Sequence, residues 1–137
     1  MAAHPQIAHA VPTLESPAAS AAALRTFFRI ARAWDLSAAE EQRLLGVQRS
    51  TVYAWRSGDF PARLDADTLE RLSYVFGIYS ALQVLFPLAE RADAWIRKPN
   101  TAPLFGGGSA LARMLGGKVA DLFEVRHYLD AVRGGVS

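Results

Sequence analysis

Apolar residues recur along this chain at intervals of three and four, and no stretch of useful length alternates apolar with polar as a half-buried strand would. That pattern restricts the chain to an all-α fold. Leu24, Phe27, Phe28, Ala31 and Trp34 form the first helical stripe, and Ser16 followed by Pro17 supplies a cap and a first helical position, so a helix is expected over about 17–33. In "LSAAEEQRLLG", Ser37 and Glu40 have the spacing of a capping box, Leu44 and Leu45 face inward, and Gly46 ends the helix in the left-handed region. A third helix is expected from Arg49, closing at Gly58. Two short helices around a glycine turn make a helix-turn-helix followed by further helices.

Asp65 caps the next run, in which Leu69, Leu72, Val75, Phe76, Tyr79, Leu82, Leu85 and Phe86 form a broad apolar surface, with Gly77 as a candidate break into two helices. This surface is wider than one small core needs. Leu72, Phe76, Tyr79 and Leu82 are therefore assigned to a homodimer interface. Pro87 opens a short helix carrying Trp95 and Ile96, and "KPNTAP" ends it. A glycine-rich turn, a Ser109 cap and a short helix follow. The last helix is expected over about 119–132, with Leu122, Val125, Leu129 and Val132 on one face, stopping at Gly134 and Gly135. Trp34 and Trp95, with helical apolar neighbours, read as core.

With 137 residues, 51% of them hydrophobic and 20% charged, the chain suits one ordinary domain or two small helical ones. It has no cysteine, which excludes a disulfide framework, a thiolate metal site and a Cys nucleophile. Its three histidines are scattered, His4 and His9 in an expected flexible leader over 1–16 and His127 alone near the end, so neither metal nor other cofactor is expected. No apolar run is long enough to span a membrane and the leader lacks a basic start, so a cytoplasmic protein without membrane partners is expected. Glu124 and Asp130 flank His127 at helical spacing, but no nucleophile or cofactor loop accompanies them. "FGGGS" lacks the Gly-Lys-Ser/Thr of a phosphate loop, so an enzyme is not expected.

Charge is unevenly spread. From Leu24 to Leu64 seven arginines (25, 29, 32, 43, 49, 56 and 63) stand against four acids, a local +3, whereas from Asp65 onward eight bases meet eight acids. A polyanion would be met by the first segment. In DNA-reading helix-turn-helix units the second helix presents its base contacts near its start, where this chain has Gln48, Arg49, Ser50, Thr51 and Tyr53, with Arg56 one turn on. Arginine can grip a guanine edge through two bonds, glutamine an adenine, and hydroxyls and amides can hold phosphates. These six are the expected DNA contacts, with Val52 and Trp55 locking the helix from behind. One departure is Gln42, four before the turn glycine, where such units usually carry a small residue that lets the helices approach.

The downstream order "WIRKPNTAPLFGGGSALARMLGGKVADLFEVRHYLDAVRGG" resembles the toxin-binding region of the MbcA/ParS/Xre family of antitoxins. The matching residues are Trp95, Pro99, Asn100, Leu104, Gly106, Gly107, Ser109, Leu111, Leu115, Val125, Leu129 and Gly134. The upstream helix-turn-helix also resembles that family's Xre-type unit, so the likeness covers about 34–135. Gly108 and Ala110 depart from it, standing where the family often has Arg and Pro. The resemblance implies units over 17–64 (helix-turn-helix), 65–98 (dimerisation and connection) and 99–137 (toxin binding). It further implies a neighbouring RES-domain toxin that consumes NAD or uses it to modify a target, and an antitoxin that covers the toxin's active site. The shared promoter would be repressed through operator DNA. Asn100, Leu104, Gly106, Gly107, Ser109, Arg133 and Gly134 are the expected toxin contacts. Read without the resemblance, the residues also suit a stand-alone dimeric helix-turn-helix regulator, or an interaction module that has lost DNA binding.

Overall fold

The computed structural model describes residues 16–134. The expected leader, with His4 and His9, lies outside them apart from Ser16, as does Gly135. Among these residues seven α-helices follow one another: α1 (Pro17–Ala33), α2 (Ala38–Leu45), α3 (Arg49–Arg56), α4 (Ala66–Leu85), α5 (Ala89–Ala94, continued by a 3₁₀ turn, Trp95–Arg97), α6 (Ala110–Met114) and α7 (Val119–Gly134). Among the described residues the sole β-type pairing is one isolated bridge, Pro99 with Ser109. The helices begin where local chemistry satisfies their first amides. Ser16 Oγ accepts from the Ala19 N–H at 3.1 Å and Asp65 Oδ1 from that of Thr68 at 2.8 Å. Both halves of the Ser37–Glu40 capping box form, at 3.1 and 2.9 Å.

α4 is the central element, packed against α1 and α2 on one side and α7 on another. Its Leu72, Val75, Ile78, Ala81 and Leu82 are all buried within one core that also takes Leu24, Phe27 and Trp34 from α1, Leu44 and Leu45 from α2, and Leu122, Val125 and Leu129 from α7. This corrects the expected dimer surface: Leu72 and Leu82 are covered by the chain's own helices and have no surface left for a second copy. Phe76 and Tyr79 remain half-buried beside Thr26, Arg29 and Ile30 of α1. The apolar width of α4 reflects a helix enclosed on several sides, which sequence periodicity cannot distinguish from a helix with a spare face.

Gly77 does not divide α4. Arg126 of α7 crosses there, its Nη1 donating to the Ser73 carbonyl at 3.2 Å, and a Cβ at position 77 would overlap its guanidinium. The glycine serves close helix approach. Val132 is also displaced from expectation: it is exposed, because the surface available to α7 ends near Leu129. Trp34 is fully buried, whereas Trp95 is half-buried.

Two arginines fasten the early helices to the late ones. Arg71 on α4, only 9% exposed, donates to Asp67 (2.8 Å), to the Arg43 carbonyl at the end of α2 (3.3 Å) and to the Gly117 carbonyl before α7 (3.1 Å). From the 3₁₀ turn Arg97 donates to the carbonyls of Trp34 (3.1 Å) and Asp35 (2.7 Å), just past α1, and pairs with Glu40. Carbonyls at helix ends lack partners inside the helix, so a guanidinium with several donors in a fixed fork closes such corners.

Candidate functional site

The α2–α3 corner is built on Gly46, at φ +69 and ψ 33, whose N–H returns to the Gln42 carbonyl at 2.8 Å. Val52 is buried in the same core as Leu44 and Leu45, and Trp55 packs half-buried against that core. That anchoring turns the start of α3 outward. Gln48, Arg49, Ser50 and Tyr53 are exposed and Thr51 is half-buried. No side chain caps the helix and its first turn holds no acid, so its leading amides and Arg49 present an unopposed positive end.

The structure resolves the departure at Gln42. Its Oε1 accepts from Arg49 Nε at 2.9 Å, so the side chain bends out along the corner instead of lodging between the helices. It thereby orients one of the arginines expected to meet DNA. Arg56 differs from its neighbours: its Nε lies 2.6 Å from Glu41 Oε1, and the Glu41 side chain is only 4% exposed. Burial pushes the Glu41 carboxyl above its usual range, and the hydrogen bond and charge of Arg56 pull it back only in part. Arg56 is thus first the counterion of a buried acid. Nothing in the local sequence marked Glu41 for burial, because Glu41 in a first helical turn suits a solvated position equally well.

The second candidate surface is the loop from Pro99 to Ser109. Its ends are tied by the Asn100 N–H to the Gly108 carbonyl (2.8 Å) and by the Gly107 N–H to the Asn100 carbonyl (3.0 Å). Gly106 and Gly107 hold φ of +57 and +91, with nothing within 4 Å of where a Cβ would stand. Both therefore answer to backbone conformation and leave an open outer face. Phe105 is buried edge-on against Trp95 and Tyr128, whose own rings stack, and this three-ring cluster anchors the loop on α7. Trp95, Phe105 and Tyr128 lie ten and twenty-three residues apart, so no helical stripe in the sequence groups them.

The expected toxin contacts do not form a single patch. Gly106 and Gly107 are exposed and Leu104 half-buried on the loop. The Asn100 Oδ1 is engaged inside the loop by the Ala102 N–H (2.9 Å), and Ser109 Oγ caps α6 through the Ala112 N–H (3.0 Å). Arg133 is on a different side of α7 from Tyr128, in a groove with Ser73, Phe76 and Arg126, where it pairs with Asp130 at 3.7 Å. Gly134 ends α7, exposed. His127 stacks on Phe123, while Glu124 pairs with Arg113 and Asp130 with Arg126. Both acids at helical spacing from the histidine are thus committed to arginines.

Residues 13–77 match the antitoxin Xre-like helix-turn-helix domain, and residues 81–135 match the antitoxin Xre/MbcA/ParS C-terminal toxin-binding domain. The chain belongs to the Xre/MbcA/ParS antitoxins. The two matches meet within α4, the helix that packs against both halves of this antitoxin. The chain is also similar to an uncharacterized protein, y4oB, of Sinorhizobium fredii, with 51% identity over 115 residues, 83% of this chain and 86% of that protein. No helix among the described residues is long and apolar enough to cross a membrane.

Proposed function

We propose that this antitoxin neutralises a RES-domain toxin encoded beside it, an enzyme that consumes NAD or uses it to modify a target, by covering the toxin's active site. In the same reading the cytoplasmic antitoxin binds the shared promoter as a homodimer through α3 and represses it, since one recognition helix spans too few bases for useful specificity. The observation that carries this reading is the coexistence in one chain of an outward-facing α3 start and a pinned glycine loop with an open face. Gln48, Arg49, Ser50, Thr51 and Tyr53 are the DNA contacts proposed. Leu104, Gly106 and Gly107, with Arg133 and Gly134 at the separate end of α7, are the toxin contacts. Asn100 and Ser109 act by shaping the loop.

Co-expression with the adjacent reading frame tests the first half: the toxin copurifies with the antitoxin and growth is restored. A neighbour that is neither toxic nor retained overturns it. A duplex spanning the upstream region, titrated with antitoxin, tests the second half. Binding that ignores salt, or that Arg49→Ala leaves unchanged, overturns the DNA role.

A further inference from the structure

We propose that helix α1 carries a second DNA contact, a phosphate-tracking stripe formed by Arg25, Arg29 and Arg32, which extends the footprint of the helix-turn-helix along the DNA backbone. The proposal rests on the reading of α3 as a DNA-binding helix. The three arginines are all exposed and follow one another at spacings of four and three, so they lie along one side of α1. They are not on an isolated face. Arg25, Arg29 and Arg32 share a cleft of about 280 Å³ with Trp55, Arg56 and Phe60, which belong to α3 and its exit. Arg25 sits over the Phe60 ring, its guanidinium carbon 5.6 Å from the centroid, which holds the stripe to the segment leaving α3. On the other side of that cleft, Arg56 follows Arg49 and Tyr53 at helical spacing along the exposed side of α3. A continuous path therefore leads from the residues proposed to read bases to the α1 arginines.

The charge of the cleft is not balanced among the described residues. Among the described residues the one acid bordering it, or the adjoining hollow between Phe28, Arg32 and Arg56, is Glu41, and Glu41 is already paired with Arg56. Among the described residues Arg29 bonds to the neutral Thr26 hydroxyl of its own helix, at 3.2 Å, and to no acid. Three guanidinium groups that no described acid pairs with, on a rigid helix next to a recognition helix, call for a polyanion. From Arg25 to Arg32 the helix rises by roughly 10 Å, about the axial length of three phosphates on one DNA strand. The ligand class is thus the sugar–phosphate backbone, contacted without regard to sequence.

The test is a fluorescence-anisotropy titration of a labelled upstream duplex, and of a scrambled duplex of equal length, with the full-length antitoxin over a range of salt. Each phosphate contact adds about 0.9 to the slope of log affinity against log salt, so Arg29→Gln/Arg32→Gln is expected to flatten that slope by about 1.8 and to weaken binding roughly tenfold per arginine at 0.1 M salt. The loss should be equal on both duplexes. Arg29→Lys/Arg32→Lys should keep the slope, which separates charge from folding, and matching thermal melts of the three proteins check the fold directly. A wild-type slope in the Gln double variant overturns the inference. So does loss of toxin capture in place of DNA affinity, which would make the stripe a protein contact. Wild-type protein that binds neither duplex fails the reading of α3 itself, a result distinct from these.

Discussion

Removing Arg56 isolates the buried acid at the α2–α3 corner, and the consequence should depend on pH in a direction the structure dictates. Glu41 is buried with its side chain 4% exposed, and Arg56, 39% exposed, is the cation beside it. Breaking a fully buried pair costs about 3–5 kcal/mol, and access of water from the Arg56 side reduces this to ~2 kcal/mol for Arg56→Ala at pH 7. For a chain of this size that is a fall in Tm of about 8 °C. The sign of the pH dependence follows from the carboxyl, which is raised by burial above its unfolded value of 4.5 even with Arg56 in place. A raised group favours the folded state fully below the unfolded value, and that contribution is lost as pH rises through the folded one. Without Arg56 the folded value moves higher still. The deficit of Arg56→Ala should therefore be largest near neutrality and shrink as pH falls toward 4.5. Glu41→Gln in the Arg56→Ala background should recover about half of the loss at pH 7, because the site then holds no charge. Urea unfolding of wild type, the single variant and the double variant at pH 7, 6 and 5 measures all of this. A deficit that is the same at each pH, or a double variant no more stable than Arg56→Ala, would refute the view of Arg56 as counterion of a buried acid.

Gly46→Ala combines a left-handed backbone, φ +69, with a Cβ that would overlap the Arg71 guanidinium, so it should cost roughly 2–3 kcal/mol in urea unfolding; a loss under 1 kcal/mol would contradict that packing. Arg71→Met should leave the carbonyls of Arg43 and Gly117 unanswered and destabilise by ~2 kcal/mol, and the amides of both α2 and the start of α7 should exchange faster in hydrogen exchange. Gly107→Ala, at φ +91 in open space, should cost about 1 kcal/mol of stability yet weaken toxin capture in a pull-down by more than that loss explains. Gln42→Ala should leave Arg49 free to swing and lower affinity for the upstream duplex several-fold at unchanged melting temperature, read by anisotropy.

Much of the helical layout was legible because its signals are local. Ser16, Ser37, Asp65 and Ser109 each cap a helix using atoms three residues away, and Gly46 turns the corner through its own backbone freedom. The outward set at the start of α3 was legible for the same reason, since Val52 at the next turn must face inward. Helical spacing and local caps thus determine the order and extent of the helices and the exposure of Arg49 and Tyr53. What the tertiary structure decided depends on partners distant in sequence. Leu72 and Leu82 proved to be core only when α1, α2 and α7 closed over α4. Gly77 became a crossing point because Arg126, almost fifty residues on, lies over it. Arg56 and Glu41 look alike with their solvated neighbours in a linear pattern, and only the α2–α3 packing takes the acid out of water and gives the arginine to it. Side chains read their immediate neighbours from the helix they belong to, but burial, and with it the strength of every charge, is set by what the rest of the chain brings against that helix.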